Sequence, residues 1–363
     1  MKQIRFMVWA ALVLLMTTRP VAAEINVALI VPSDRNGNEL AAGAFRAAEA
    51  INARGGIAGN RLNLQRIEDP CEDVLSQTTA EMLALKLKAS QELDLVVGPY
   101  CRNNAAAIAE LYRQKHIYQI LPIPASRALY AKAKVPPLKF LGYVEEQAKI
   151  VPDFYLQNGG DKPFAFVYNA DDEVAVATAK ALSAQFDKKN LADRLLTFSY
   201  DNYADNLNKM AKTLIRDSGM VYLTGQAEQI SALLNQIRNR DMALPVIISQ
   251  FDKPADLSGQ FGNYTQNVYL LRLSSLKDNP YFAENLVQLR LSGVEPEGLM
   301  PYGYLLINFV GKSLEYKGKD VFARMNAALK HHNDDLGWGS NGFRQGLPEK
   351  APGYVLEPYD AGE

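Results

Sequence analysis

The sequence predicts an α/β protein made of two doubly wound, Rossmann-like lobes joined by a multi-strand hinge, and three observations carry that prediction. Short, nearly continuous apolar runs alternate with stretches of helical period along the 363-residue chain. The alternation occurs as two series, separated by a stretch that contains Pro136, Pro137 and the polar run EEQ. With 48% hydrophobic and 22% charged residues, the composition is that of a globular protein able to build a core in each series.

Residues 1–23 stand outside this pattern. Lys2 and Arg5 precede an apolar run over residues 6–16, and Val21-Ala22-Ala23 forms a small-residue cleavage site before Glu24, so the segment reads as a signal peptide. The run is too short to span a bilayer, and no later stretch reaches about 18 apolar residues. The expectation is a periplasmic or secreted mature chain without a transmembrane segment. No Cys lies near the cleavage site, so a lipid-modified N-terminus is not indicated. Losing Lys2, Arg5 and Arg19 takes the formal charge from −1 to −4, which gives no electrostatic footprint for nucleic acid or anionic membranes.

The mature chain opens with INVALIV, residues 25–31, apolar enough for a strand covered on both faces. The turn PSDRNGN leads into an Ala-rich helix that ends at Gly55 and Gly56. RLNLQRIED alternates as a half-covered strand, and residues 73–90 read as a helix. Leu93 begins another apolar strand; Gly98 and Pro99 punctuate it, residues 105–115 are a helix with Ile108, Leu111 and Tyr112 on one face, and residues 117–121 are the next strand. Open α/β sheets bind ligands at the carboxyl ends of their strands, which puts residues 100–104 and 124–127 at the mouth of a site.

The second series runs PFAFVYN, a helix over 173–188, RLLTFSY, a helix over 204–218, MVYLTG, a helix over 228–240 and the strand LPVIISQF. NVYLLRLSS then returns the chain to the first lobe, which the segment from Met300 and the helix over 320–331 complete; GYVLEPY reads as a last strand of the second. The expected division is 24–143 with 275–335 for the first lobe and 144–274 with 336–363 for the second.

Only two cysteines occur, Cys71 and Cys101. In an oxidising compartment such a pair is either bridged, worth about 3 to 4 kcal/mol for a loop of this length, or two reduced core thiols. Neither has a nearby His, so neither a zinc site nor a catalytic thiol is expected. Other catalytic patterns are excluded too. Gly311-Lys312-Ser313 lacks the first glycine of a P-loop, and GGIAG ends a helix where a dinucleotide fingerprint would open one. No G-x-S-x-G elbow is present, and His116, His331 and His332 are the only histidines. No enzyme activity, cofactor or metal is expected.

VALIVP, AAEAINARGGIAGNRL, DPC, VVGPYC and LPIPAS together resemble the type I periplasmic solute-binding proteins of branched-chain amino acid and amide ABC transporters. The resemblance covers the mature chain in element order and is strongest over residues 25–130. It implies a cleft that closes on a small polar ligand by a hinge motion, and it places Cys71 and Cys101 where leucine-binding members carry a disulfide. It further implies that a ligand carboxylate meets hydroxyls and backbone N–H groups at positions matching Arg102, Asn103, Ala125 and Ser126, with Ser33, Asp34 and Asn38 after the first strand also at the mouth. Ser126 keeps the family's hydroxyl, whereas Arg102 replaces a small hydroxyl residue and offers a bidentate guanidinium. In the second lobe the family's aromatic is replaced by Glu173, the next loop carries Gln226, and the acidic group that meets an ammonium falls at Phe251 or Asp252.

The expected function is that of an exported receptor that binds an amino acid, amide or carboxylate-like solute and delivers it to the permease subunits of an ABC transporter. The alternative is a ligand sensor or accessory protein of the same fold that acts on a protein partner.

Overall fold

The computed structural model describes residues 24–69, 93–100, 102–124, 126–127, 138–200, 206–225, 227–250, 265–273, 280–295, 298–331, 343–344, 347–348 and 354–359. The signal peptide, both cysteines, the helix expected over 73–90, Ala125, Gln226, Phe251 and Asp252 lie outside them.

The first sheet is wholly parallel. It takes β1 (Glu24–Val31), β2 (Arg61–Glu68), β3 (Leu95–Val97), β4 (Tyr118–Leu121) and β5 (Leu138–Lys139) in the order β2-β1-β3-β4-β5. Central β1 is buried from Val27 to Val31, as its unbroken apolar run requires, and edge strand β2 alternates buried and exposed positions. The second sheet holds β6 (Phe164–Asn169), β7 (Leu195–Tyr200), β8 (Met220–Leu223), β9 (Val246–Ser249), β10 (Val268–Leu273) and β13 (Tyr354–Pro358) in the order β13-β10-β9-β8-β6-β7. Its strands are parallel except β13, which runs antiparallel on β10. A short antiparallel pair, β11 (Phe343–Arg344) and β12 (Leu347–Pro348), stands apart.

The helix α1 (Arg35–Ala53) begins at Asp34, whose carboxylate accepts from the Gly37 N–H at 2.7 Å, and ends where Gly55 and Gly56 turn to positive φ. The Asn52 amide fastens its last turn to β2 by bonding both the N–H and the carbonyl of Leu62 at 2.8 Å. The helices α2 (Arg102–Gln114), α3 (Val151–Asn158), α4 (Glu173–Lys188), α5 (Leu207–Asp217), α6 (Ala227–Arg238), α7 (Pro280–Leu291), α8 (Met300–Leu314) and α9 (Val321–His331) follow. A 3₁₀ turn, Val144–Lys149, leads from the first sheet into α3.

Three differences from the sequence pattern have local causes. α2 begins at Arg102, not Ala105, because nothing in Arg102-Asn103-Asn104 breaks a helix. α6 ends at Arg238, whose buried guanidinium turns back to donate to the carbonyls of Leu244, Asp241 and Asn267. α3 is short with Pro152 in its first turn, and α7 spreads its apolar residues around its circumference, so neither shows a helical stripe.

α8 is buried nearly all round and crosses α1 at backbone contact. A Cβ on Gly43 would overlap the Met300 carbonyl oxygen, and one on Gly303 would overlap that of Leu40. Glu39 closes the joint by accepting the Leu299 N–H at 2.9 Å. Gly303→Ala should therefore push the two helices apart and lower stability by about 1–3 kcal/mol. A urea titration should show the midpoint falling with the slope unchanged, and an unshifted midpoint would contradict this packing.

Candidate functional site

Each sheet has one point where successive connections leave in opposite directions. In the first sheet it lies between β1 and β3, and in the second between β6 and β8. The crevice of an open α/β sheet opens at the carboxyl ends of such strands. Those ends carry Ser33 and Tyr100 in the first sheet, and Asp172 and Thr224 in the second.

At the second crevice there is a cavity that, counted with the solvent at its mouth, encloses about 260 Å³. Its polar lining comes from Gln147, Asp172, Thr178, Tyr222, Thr224 and Ser249. Local bonds fix these groups. Asp172 caps α4 through the Val174 N–H at 2.8 Å, and the Thr224 carbonyl accepts from the Tyr200 hydroxyl at 2.8 Å. The buried Tyr222 hydroxyl donates to Gln147 Oε1 at 2.9 Å, which ties the 3₁₀ turn to β8.

The same turn reaches the first sheet through its other residues. Glu145 Oε1 accepts from the Ser126 hydroxyl at 3.0 Å and from the Arg127 backbone N–H at 2.7 Å. The Arg127 guanidinium pairs with Glu146 at 2.6 Å and lies 3.7 Å from the centroid of the Tyr143 ring. Lys149 also pairs with Glu146. Burial works to raise the Glu146 carboxyl, and hydrogen bonds from Lys149 and Arg127 outweigh it, holding the group below the usual carboxylate range. Lys139, at the end of β5, is 2% exposed with its Nζ 6.0 Å from the Tyr143 ring, and burial pushes its ammonium down to about 8.

The residues singled out in the sequence fall into three groups. Ser126 is fully buried, and its hydroxyl is engaged by Glu145. Ser33 is exposed, with its N–H donating to Glu68 Oε1 at 2.9 Å and its hydroxyl to the other oxygen; Asn38 donates to the Ser33 carbonyl, and Asp34 is a helix cap. Arg102, Asn103 and Glu173 occupy first turns of α2 and α4, where backbone N–H groups lack intrahelical partners. Sequence reasoning placed Arg127 at the mouth of the site without a partner and missed Tyr143, Glu145, Gln147, Tyr222 and Thr224. The one signal pointing their way was the polar EEQ in an otherwise apolar connection.

Among the described residues no group of His, Cys, Asp and Glu is arranged to hold a metal ion, and no helix is long and apolar enough to cross a membrane.

The family model described as Periplasmic binding protein matches residues 26–277. The chain belongs to this family. Its members are solute-binding proteins of ABC transporters and not enzymes. Among periplasmic binding proteins it is similar to the "Amino acid binding protein" of Pseudomonas aeruginosa, with 24% identity over 322 residues, 88% of this chain and 84% of the relative. The leucine-binding protein LivK of Thermotoga maritima superposes with a TM-score of 0.75 at 15% identity, over 93% of this chain and 96% of that one. A solute-binding protein of R. palustris in complex with benzoate superposes with a TM-score of 0.67 at 14% identity, over 92% and 95%. The fold is therefore that of the type I periplasmic binding proteins.

In this periplasmic binding protein burial of the Lys139 ammonium predicts a pH dependence of stability. An unfolded lysine titrates near about 10.4, so between about 8 and that value the unfolded chain holds more protons than the native one, and stability rises with pH across this window. Lys139→Met should accordingly be more stable than the wild type at pH 7, with the gap shrinking towards pH 10. Thermal melts across that range check it, and a gap independent of pH would contradict it.

Proposed function

We propose that the mature chain is an exported receptor that captures a small polar solute, an amino acid, amide or carboxylate-like molecule, between two lobes and delivers it to an ABC permease. The lobes are residues 24–143 with 275–335 and residues 144–274 with 336–363. The observation that carries the reading is the 3₁₀ turn, bonded beyond the carboxyl end of β4 by Glu145 and to β8 near its carboxyl end by Gln147. A solute that contacts both ends favours a closed arrangement over an open one by its differential affinity for the two.

Names among the relatives support a small organic solute without choosing one. The Pseudomonas protein is called an amino acid binder and the R. palustris protein holds benzoate, on one shared fold. Ligand class therefore depends on side chains at the strand ends. The leader read from residues 1–23 supports export, and the family name supports the periplasm as destination.

Calorimetry and thermal-shift measurement against amino acids, amides and small carboxylates test the proposal. At a hundredfold excess over Kd a true ligand should stabilise the protein by about 2.7 kcal/mol. A panel in which no compound stabilises it contradicts the receptor reading.

A further inference from the structure

The cavity at the second crevice is lined by hydroxyls whose protons are already engaged. The Thr178 hydroxyl donates to the Val174 carbonyl at 2.9 Å, the Thr224 hydroxyl to the Val167 carbonyl at 3.3 Å, and the Tyr222 hydroxyl to Gln147 Oε1 at 2.9 Å. A hydroxyl has one proton, and its lone pairs outlast the bond it donates. Toward a guest these three oxygens are therefore acceptors. The Gln147 NH₂ remains as a neutral donor, and Ser249 adds a hydroxyl at the end of β9.

Among Asp, Glu, Lys, Arg and His, only Asp172 occurs in the described lining. Its Oδ1 caps α4 through the Val174 N–H, and its Oδ2 takes no hydrogen bond or ion pair from any described residue. Asp172 is half-buried and borders the cavity, so a guest entering from the mouth meets this carboxylate directly. The N-terminus of α4 brings about half a positive charge to the same place. The full negative charge of Asp172 exceeds it. At about 260 Å³ counted to its mouth, the space falls short of the roughly 300–1,000 Å³ of sites that enclose a whole ligand, so it suits one end of a solute.

We propose that this cavity receives a positively charged, N–H-bearing end of the solute, and that Asp172 is the residue that selects it over a carboxylate. The proposal rests on the receptor reading and narrows its ligand class. An ammonium carries three donors and no acceptor, the complement of a lining rich in acceptors. Its bond to Asp172 is charge-assisted, and so shorter and stronger than the bond a neutral amide would make. A carboxylate would bring further acceptors and set a like charge beside Asp172.

n-Butylamine, butyramide and butyrate share a short apolar body and differ in the charge at its end, and calorimetry with the wild type and Asp172→Asn tests the proposal. Asn caps a helix as well as Asp does, so the substitution removes the charge and keeps the cap. The wild type should bind n-butylamine at least about tenfold more tightly than butyrate, with butyramide between them. Asp172→Asn should lose at least about tenfold for n-butylamine while butyrate holds or gains. Asp172→Ser, which also keeps a capping oxygen, repeats the test should the Asn variant not fold. Equal binding of amine and acid by the wild type, or amine affinity unchanged in the variant, overturns the proposal. A wild type that binds none of the three probes overturns it as well. In that event the receptor reading stands if the wider solute panel yields a ligand and falls if it yields none.

Discussion

The turn Val144–Lys149 is the constraint on which the arrangement of the site depends. Six residues of 3₁₀ helix connect the two series, and their side chains reach opposite ways. Glu145 and Glu146 engage the loop after β4, and Gln147 engages Tyr222 of β8. The apolar side of the same connection, Phe140, Ala148, Val151 and Tyr155, belongs to one continuous core with residues of both sheets. A rigid, buried connection of this kind lets a small change at one strand end be felt at the other, because packed interiors respond as units and deform little.

Around that turn the polar groups are matched with some economy. Glu146 pairs with Arg127 and Lys149, while Glu145 Oε1 accepts from the Ser126 hydroxyl and the Arg127 backbone N–H. Lys139 is buried with its Nζ 6.0 Å from the centroid of the Tyr143 ring, and burial weakens its hold on a proton. Of these charges Glu146 and Lys139 are largely covered and lose solvation, whereas Arg127 and Lys149 stay more than half exposed.

Much of the fold was legible because its elements keep their own periods. INVALIV could only be a strand covered on both sides, and the Ala-rich stretch with Gly55 and Gly56 behind it could only be a helix with a left-handed stop. The partners of the strand-end residues were not legible. Ser126 was recognised as a strand-end hydroxyl, yet the carboxylate it meets lies 19 residues away on a connection with no periodic signal. Gln147 and Tyr222 are 75 residues apart, and nothing local in either segment announces the bond. Arg238 reads as a solvated helix residue, whereas the fold buries it to satisfy three carbonyls of later loops. Contacts of that kind are set by topology, which residue order specifies only after the sheets have formed.

If the turn joins the two strand ends as one unit, removing a bond on one side must alter the value of the bond on the other. The most direct measurement is a double-mutant cycle in stability between Ser126→Ala and Tyr222→Phe, residues held by the same six-residue turn from opposite sheets. The account predicts a coupling energy of about 0.5 kcal/mol or more. Effects that add to within about 0.3 kcal/mol would contradict it.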